Sequence, residues 1–128
     1  MAYLKPPAVV RKVFNPLAMR FRLGGAEVLV VPRRRTGTPQ RIPLTPVELD
    51  GVRYLVSTRG ESDWVKNVRA AGSVELNGKR FRTSDVPVAE REAIFAVYKP
   101  KVGRVADSYW KKLPDASDHP VFRLDPMQ

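Results

Sequence analysis

Residues 41–60 read RIPLTPVELDGVRYLVSTRG. Asp50-Gly51 near the centre supplies the two residue types that tolerate the left-handed backbone of a tight hairpin turn. After it, Val52, Tyr54 and Val56 alternate with Arg53, Leu55 and Ser57, the period of a strand with two distinct faces. Before it, Arg41 to Leu49 is extended but carries Pro43 and Pro46. Proline donates nothing to a ladder, so this segment belongs at a sheet edge or a bulge. The stretch is an antiparallel hairpin whose returning strand runs into Ser57-Thr58-Arg59-Gly60, a basic turn with two hydroxyls.

Working outward, Gly24-Gly25 breaks the chain, and Ala26 to Val31 is a valine-rich run that reads as a strand. It leads into Arg33-Arg34-Arg35-Thr36-Gly37-Thr38-Pro39, so two basic loops follow two strands. Arginine offers a planar fork for phosphate or carboxylate, threonine and serine add hydroxyl donors, and glycine admits close backbone approach. The pair suits a phosphorylated anionic ligand. Ser62 is placed to cap a helix with Asp63 in its first turn. Trp64, Asn67, Val68 and Ala71 share one face of that helix, and Gly72 suits its stop. Ser73–Leu76 and Lys79–Thr83 form a second hairpin around Asn77-Gly78. Pro87 opens another helix with apolar positions Val88, Ile94, Phe95 and Tyr98, and Pro100 ends it. Val102 to Leu113 adds a helix and Pro120 to Leu124 a last strand. Residues 1–7 read as a loose arm, and Ala8 to Arg20 as short helical turns weakened by Pro16. The chain thus divides into an N-terminal arm with a short helix, residues 1–25, and one domain, residues 26–128. About six hairpin-connected strands with two or three helices give an α+β fold, a small antiparallel barrel with helices outside.

The 128 residues hold 23 Lys+Arg against 13 Asp+Glu, a net charge of +10. Such an excess fits nucleic acid, an acidic membrane surface or a polyanionic small molecule. Hairpin turns and 12 prolines disfavour a recognition-helix module. The chain has no cysteine, which removes disulfide and thiol chemistry, and a single histidine cannot build a His-rich metal site. No metal is expected. No long apolar run is present, so the expected address is the cytoplasm, with peripheral membrane association through the basic N-terminal arm as the alternative. Trp64 is expected to fill the core. Asn67, on the same face, must have its amide satisfied and is placed to bond the adjacent loop. His119, before Pro120 at a strand entry, reads as structural.

The order RRRTGTPQRIPL, STRGESDWVKNVRAAGSVEL, a helix after Pro87 and a terminal HPVFRLDP resembles the deazaflavin-dependent nitroreductase family, from about Ala26 to the end. The resemblance implies a split β-barrel of flavin-reductase and pyridoxamine-phosphate-oxidase-like type. It implies coenzyme F-420, an 8-hydroxy-5-deazaflavin, as cofactor, with FMN less favoured, and hydride transfer to a nitroaromatic, quinone or activated alkene. By motif it brings Arg34, Arg35, Thr36, Gly37, Arg41, Thr58, Arg59 and Gly60 to the coenzyme, with Trp64 and Asn67 on the helix beneath. Tyr98, Tyr109 and Trp110 fall where the family has substrate-side aromatics, with core packing as the equal alternative; the completing proton comes from Tyr98, from Tyr109 or from solvent. Arg33 replaces the first glycine of the family loop, and Gln40, next to Arg41, stands where a basic residue is frequent. The implied partner is a small-molecule acceptor, and the chain is a monomer or homodimer. Two rival classes follow in order: a non-catalytic split-barrel binder of coenzyme, flavin or a lipophilic ligand, and a basic nucleic-acid-binding protein.

Overall fold

The computed structural model describes residues 25–127, and the expected N-terminal arm with its helical turns lies outside them. Seven strands are present: β1 Glu27–Pro32, β2 Pro39–Leu44, β3 Val47–Leu49, β4 Val52–Val56, β5 Ser73–Leu76, β6 Lys79–Asp85 and β7 Val121–Pro126. They form one sheet in the order β2-β1-β5-β6-β7-β4-β3, and every neighbouring pair is antiparallel. Three α-helices accompany it, α1 Asp63–Ala71, α2 Glu92–Val102 and α3 Arg104–Lys112.

Local chemistry accounts for most of these elements. Asp50 and Gly51 take φ values of 53° and 77°, and Asn77 and Gly78 take 49° and 81°. Both hairpins therefore close through two-residue turns that are left-handed at both centres, whose twist matches that of the strands. The proline rule holds as well. Pro43 lies in β2 and Pro46 just before β3, and these strands are the two edges of the sheet.

The sheet curls into a half-barrel. Arg53 on β4 pairs with Glu27 on β1, although β5, β6 and β7 lie between those strands. Inside the curl, Leu29, Val31, Leu55, Phe81, Phe122 and Leu124 pack against Trp64, Val65 and Val68 of α1. A second core lies on the outer face, where Val56 and Val121 pack with Ile94, Phe95, Tyr98 and Ala106. Strand alternation explains the division: Leu55 and Phe122 point inward, and their neighbours Val56 and Val121 point outward.

Several expectations are corrected. Ser62 precedes α1 but its hydroxyl makes no capping bond; the entry is set instead by Ser62 N–H donating to Gly60 O at 2.8 Å. Pro100 lies inside α2 and does not end it. A proline near the last turn removes one donor only, and Gly103 N–H closes the turn on Lys99 O at 2.8 Å. Val88 sits on a separate 3-10 turn, Val88–Glu90, and is 46% exposed. The helix that should have buried it starts only at Glu92. No described helix is long and apolar enough to cross a membrane.

Candidate functional site

The first basic loop joins β1 to β2 at the pair Pro32 and Pro39. Arg33 N–H donates to Thr38 O and Gly37 N–H to Arg33 O, both at 2.8 Å. Gly37 takes φ 78°, which a residue with a Cβ adopts only at a cost. The Arg33 guanidinium donates to Thr38 Oγ1 at 3.2 Å and to Pro39 O at 2.6 Å. Arg33 therefore staples the turn, which gives a reason for arginine where the family pattern has glycine. The Thr36 and Thr38 hydroxyls meet at 2.8 Å. Arg35 is exposed and makes no ion pair or hydrogen bond among the described residues.

Asn67 ties this loop to α1. Its side chain is buried, and Oδ1 accepts from Arg34 N–H at 3.1 Å and from the Arg34 guanidinium at 2.9 Å. Nδ2 donates to Gln40 Oε1 at 2.8 Å. The amide is thus satisfied on both sides, as a buried amide must be. It also explains Gln40, since a lysine or arginine there has no acceptor to offer Nδ2. Arg34 lies 3.6 Å from Asp63 as well. Arg41 is not brought to this cluster. It is exposed and lies opposite Val30, whereas Ile42 and Leu44 turn to the inner core, so alternation along β2 puts Arg41 on the other face.

The second loop leaves β4 and enters α1. Ser57 Oγ donates to Gly60 O at 2.6 Å, and Ser57 N–H to Pro120 O at 2.9 Å. His119 is fully buried with Nδ1 3.0 Å from Ser57 O and Nε2 2.6 Å from Leu113 O. Its ring stacks on Trp110 with centroids 3.7 Å apart, so the histidine is structural, as expected. Thr58 and Arg59 are half-buried and Gly60 is buried. Arg59 lies 6.0 Å from the ring centroid of Tyr109, which is half-buried too. Tyr98 is only 6% exposed and belongs to the outer core. Burial pushes its phenol well above the ordinary range, against the opposing pull of the Arg59 charge. Trp64 fills the inner core edge-on to Phe122 at 5.9 Å and offers no indole face to solvent.

Other groups carried no local sequence signal. Glu61 is buried and pairs with Arg69, while its Oε2 and the adjacent Ser62 Oγ are buried without a partner among the described residues. The Glu61 hydrogen bond raises the Arg69 guanidinium further, and Asp85 at 3.1 Å adds to it. Arg91 donates to the carbonyls of Val86, Ala116 and His119 at 2.9, 3.1 and 3.4 Å, and desolvation lowers it. A shallow depression of about 150 Å³, lined by Leu49, Tyr54, Asp85, Ile94 and Arg123 among others, contains none of the candidate residues. No cluster of three metal-ligating side chains occurs among the described residues.

The sequence matches no protein-family model and no curated protein. Solved structures do resemble it. An F420-H2 dependent reductase (FDR-A) is 21% identical with a TM-score of 0.58, over 79% of this chain and 94% of that one. The heme storage protein HutZ from Vibrio cholerae is 15% identical with a TM-score of 0.58, over 84% of each chain. A putative pyridoxamine 5'-phosphate oxidase from Listeria innocua is 18% identical with a TM-score of 0.54, over 81% of this chain and 85% of that one. At these identities the likeness is one of fold, and the curled half-barrel with flanking helices is a split β-barrel of the pyridoxamine-phosphate-oxidase-like type.

Proposed function

We propose that this chain is an oxidoreductase that holds coenzyme F-420 on its two basic loops and reduces a small electron-poor acceptor. The observation that carries the reading is the Asn67 amide, which fastens the first loop to α1 through Arg34 and Gln40. With Arg34 held down, Arg35 is left exposed and without a partner among the described residues. The loop is thereby ordered by Arg33 and Arg34 while the Arg35 charge is not engaged by the described residues. The likeness in fold to an F420-H2 dependent reductase supports the same reading.

The donor set fits a strongly anionic coenzyme. Arg34, Arg35 and Thr36 serve the first loop, whose turn Gly37 shapes, and Thr58, Arg59 and the Gly60 backbone the second. The Ser62 hydroxyl, buried at the amino end of α1 and without a partner among the described residues, adds a donor between them. Trp64 and Asn67 support the loops from beneath. When bound, the reduced deazaflavin supplies a hydride. The chain contributes placement, exclusion of water and positive charge, and no side chain need act as a nucleophile.

The test is quenching of coenzyme F-420 fluorescence on titration with protein, run beside FMN. Coenzyme F-420 is expected to bind more tightly, and Arg35→Ala to raise its Kd about tenfold without loss of fold. Equal or tighter FMN binding removes the deazaflavin assignment. Turnover is read as oxidation of reduced coenzyme with menadione, a nitroaromatic and cyclohexenone. Tight binding with no acceleration by any acceptor favours a non-catalytic binder, a reading to which the likeness to HutZ lends support.

A further inference from the structure

The net charge of +10 is not spread evenly along the chain. Residues 1–26 hold Lys5, Arg11, Lys12, Arg20 and Arg22 and no carboxylate side chain. Residues 99–112 hold Lys99, Lys101, Arg104, Lys111 and Lys112 against Asp107 alone, with Glu92 and Asp115 the next carboxylates on either side. Everything else, both candidate coenzyme loops included, is nearly balanced at 13 cationic against 12 anionic side chains. Two short stretches therefore carry +9 of the +10, and the loops do not account for it.

The fold brings these stretches to one corner. Gly25 is the first described residue, and a Cβ on it would meet Lys101 Cε at 3.3 Å. Residues 1–24 thus join the fold beside Lys101, which lies shortly before Gly103, where α2 gives way to α3. The Lys101 ammonium donates to Pro46 O at 2.9 Å, and Lys99 Nζ lies 4.8 Å from the Trp110 centroid. Along α3, Arg104, Ser108 and Lys111 follow i, i+4, i+7 spacing, and Val105 and Lys112 form the neighbouring stripe. All five face away from the buried Ala106. Arg104, Lys111 and Lys112 are exposed, and Val105 at 59% is the most exposed large apolar side chain described. None of the five cations of residues 99–112 makes a salt bridge among the described residues.

Charge of one sign around an exposed branched aliphatic side chain is complementary to an anionic bilayer. Its headgroups take the cations and its acyl boundary takes the apolar group. The N-terminal stretch has the same mixture, with Val10, Val13, Phe14 and Leu17 standing among its cations. A nucleic acid backbone would use the charge and leave Val105 without a role.

We propose that the α2–α3 corner and the N-terminal stretch that joins it form one docking surface for an anionic lipid bilayer, with Arg104, Lys111 and Lys112 on the headgroups and Val105 at the acyl boundary. This surface is independent of the oxidoreductase reading and needs no coenzyme.

The experiment is co-sedimentation of the full chain, without coenzyme, with vesicles of phosphatidylcholine alone and of phosphatidylcholine and phosphatidylglycerol in equal parts. Binding is expected on the anionic vesicles only and falls as salt rises. Lys111→Gln with Lys112→Gln is expected to weaken partition about tenfold, and Arg11→Gln with Lys12→Gln by as much. Lys79→Gln with Arg80→Gln removes the same charge from the exposed β5–β6 hairpin and is expected to leave binding close to wild type. Val105→Ser keeps the charge and is expected to lower partition severalfold. The substituted side chains of the described fold are all exposed, and thermal unfolding checks that each variant is folded. Equal binding to both vesicles, or a hairpin pair as damaging as the corner pairs, overturns the proposal. So does wild-type binding by either corner pair or by Val105→Ser. Duplex DNA is run in parallel as the rival polyanion. Binding to it in place of anionic vesicles, lost in the Lys111→Gln, Lys112→Gln protein, gives the corner to nucleic acid and removes the bilayer.

Discussion

Asn67 accepts from Arg34 and donates to Gln40, so the two ends of its amide can be tested separately. Gln40→Lys sets a second donor against Nδ2 and is expected to cost about 1–3 kcal/mol in urea unfolding. Adding Asn67→Asp restores a donor–acceptor pair there and keeps the acceptor for Arg34, so the double variant is expected to recover most of that loss in a double-mutant cycle. Additive losses would show that the amide does not couple the loop to α1. Trp64→Ala removes a buried indole and is expected to cost about 3–5 kcal/mol by the same measurement. Tyr98 carries a pH signature. Its phenol holds its proton more tightly folded than unfolded, so the unfolded state binds fewer protons once the pH passes about 10, and stability falls from there upward. Tyr98→Phe is expected to flatten that decline in unfolding curves measured between neutral and alkaline pH. At this scale Asn67 was legible, because a polar residue on an apolar helical face must find a partner nearby. Arg91 and Lys99 were not. Their partners are carbonyls and a ring from distant segments, and no spacing along the chain encodes those meetings.

The hairpins and α1 were legible because each depends on a few adjacent residues. Asp-Gly and Asn-Gly turns, a glycine helix stop and prolines at sheet edges act within one turn of the chain. Ser62 and Pro100 were misread for a related reason: a capping residue and a helix breaker state tendencies that one neighbouring hydrogen bond can overrule. The Arg33–Thr38 loop gives a prediction at this scale. A Cβ added to Gly37 meets nothing within 4 Å, so Gly37→Ala suffers only from its backbone, held at φ 78°. The expected loss is about 1–2 kcal/mol in thermal unfolding, accompanied by weaker coenzyme binding as the loop loses its shape. Unchanged binding in a destabilised Gly37→Ala protein would take this loop out of the site.

For the molecule as a whole, a net charge of +10 should make binding of a polyanionic coenzyme strongly dependent on salt. The Kd measured by fluorescence quenching is expected to rise with ionic strength, and more steeply for coenzyme with a longer glutamate tail. A salt response independent of tail length would place the tail away from the basic loops. The fold class was readable from hairpins and helix count, and the split barrel followed from the resemblance. The strand order was not, since β1–β5 and β4–β7 join segments far apart in sequence. The two cores bear on how the molecule opens. β4 and β7 place side chains in both, whereas α3 buries only Ala106. Amide hydrogens of Leu55, Val56, Val121 and Phe122 should therefore exchange with deuterium only through global unfolding, and those of α3 through a much cheaper local excursion. Each such excursion lifts Trp110 off His119 and Phe95 and parts Tyr109 from Arg59, so the outer core breathes on the clock of one short helix while the inner core keeps that of the whole fold.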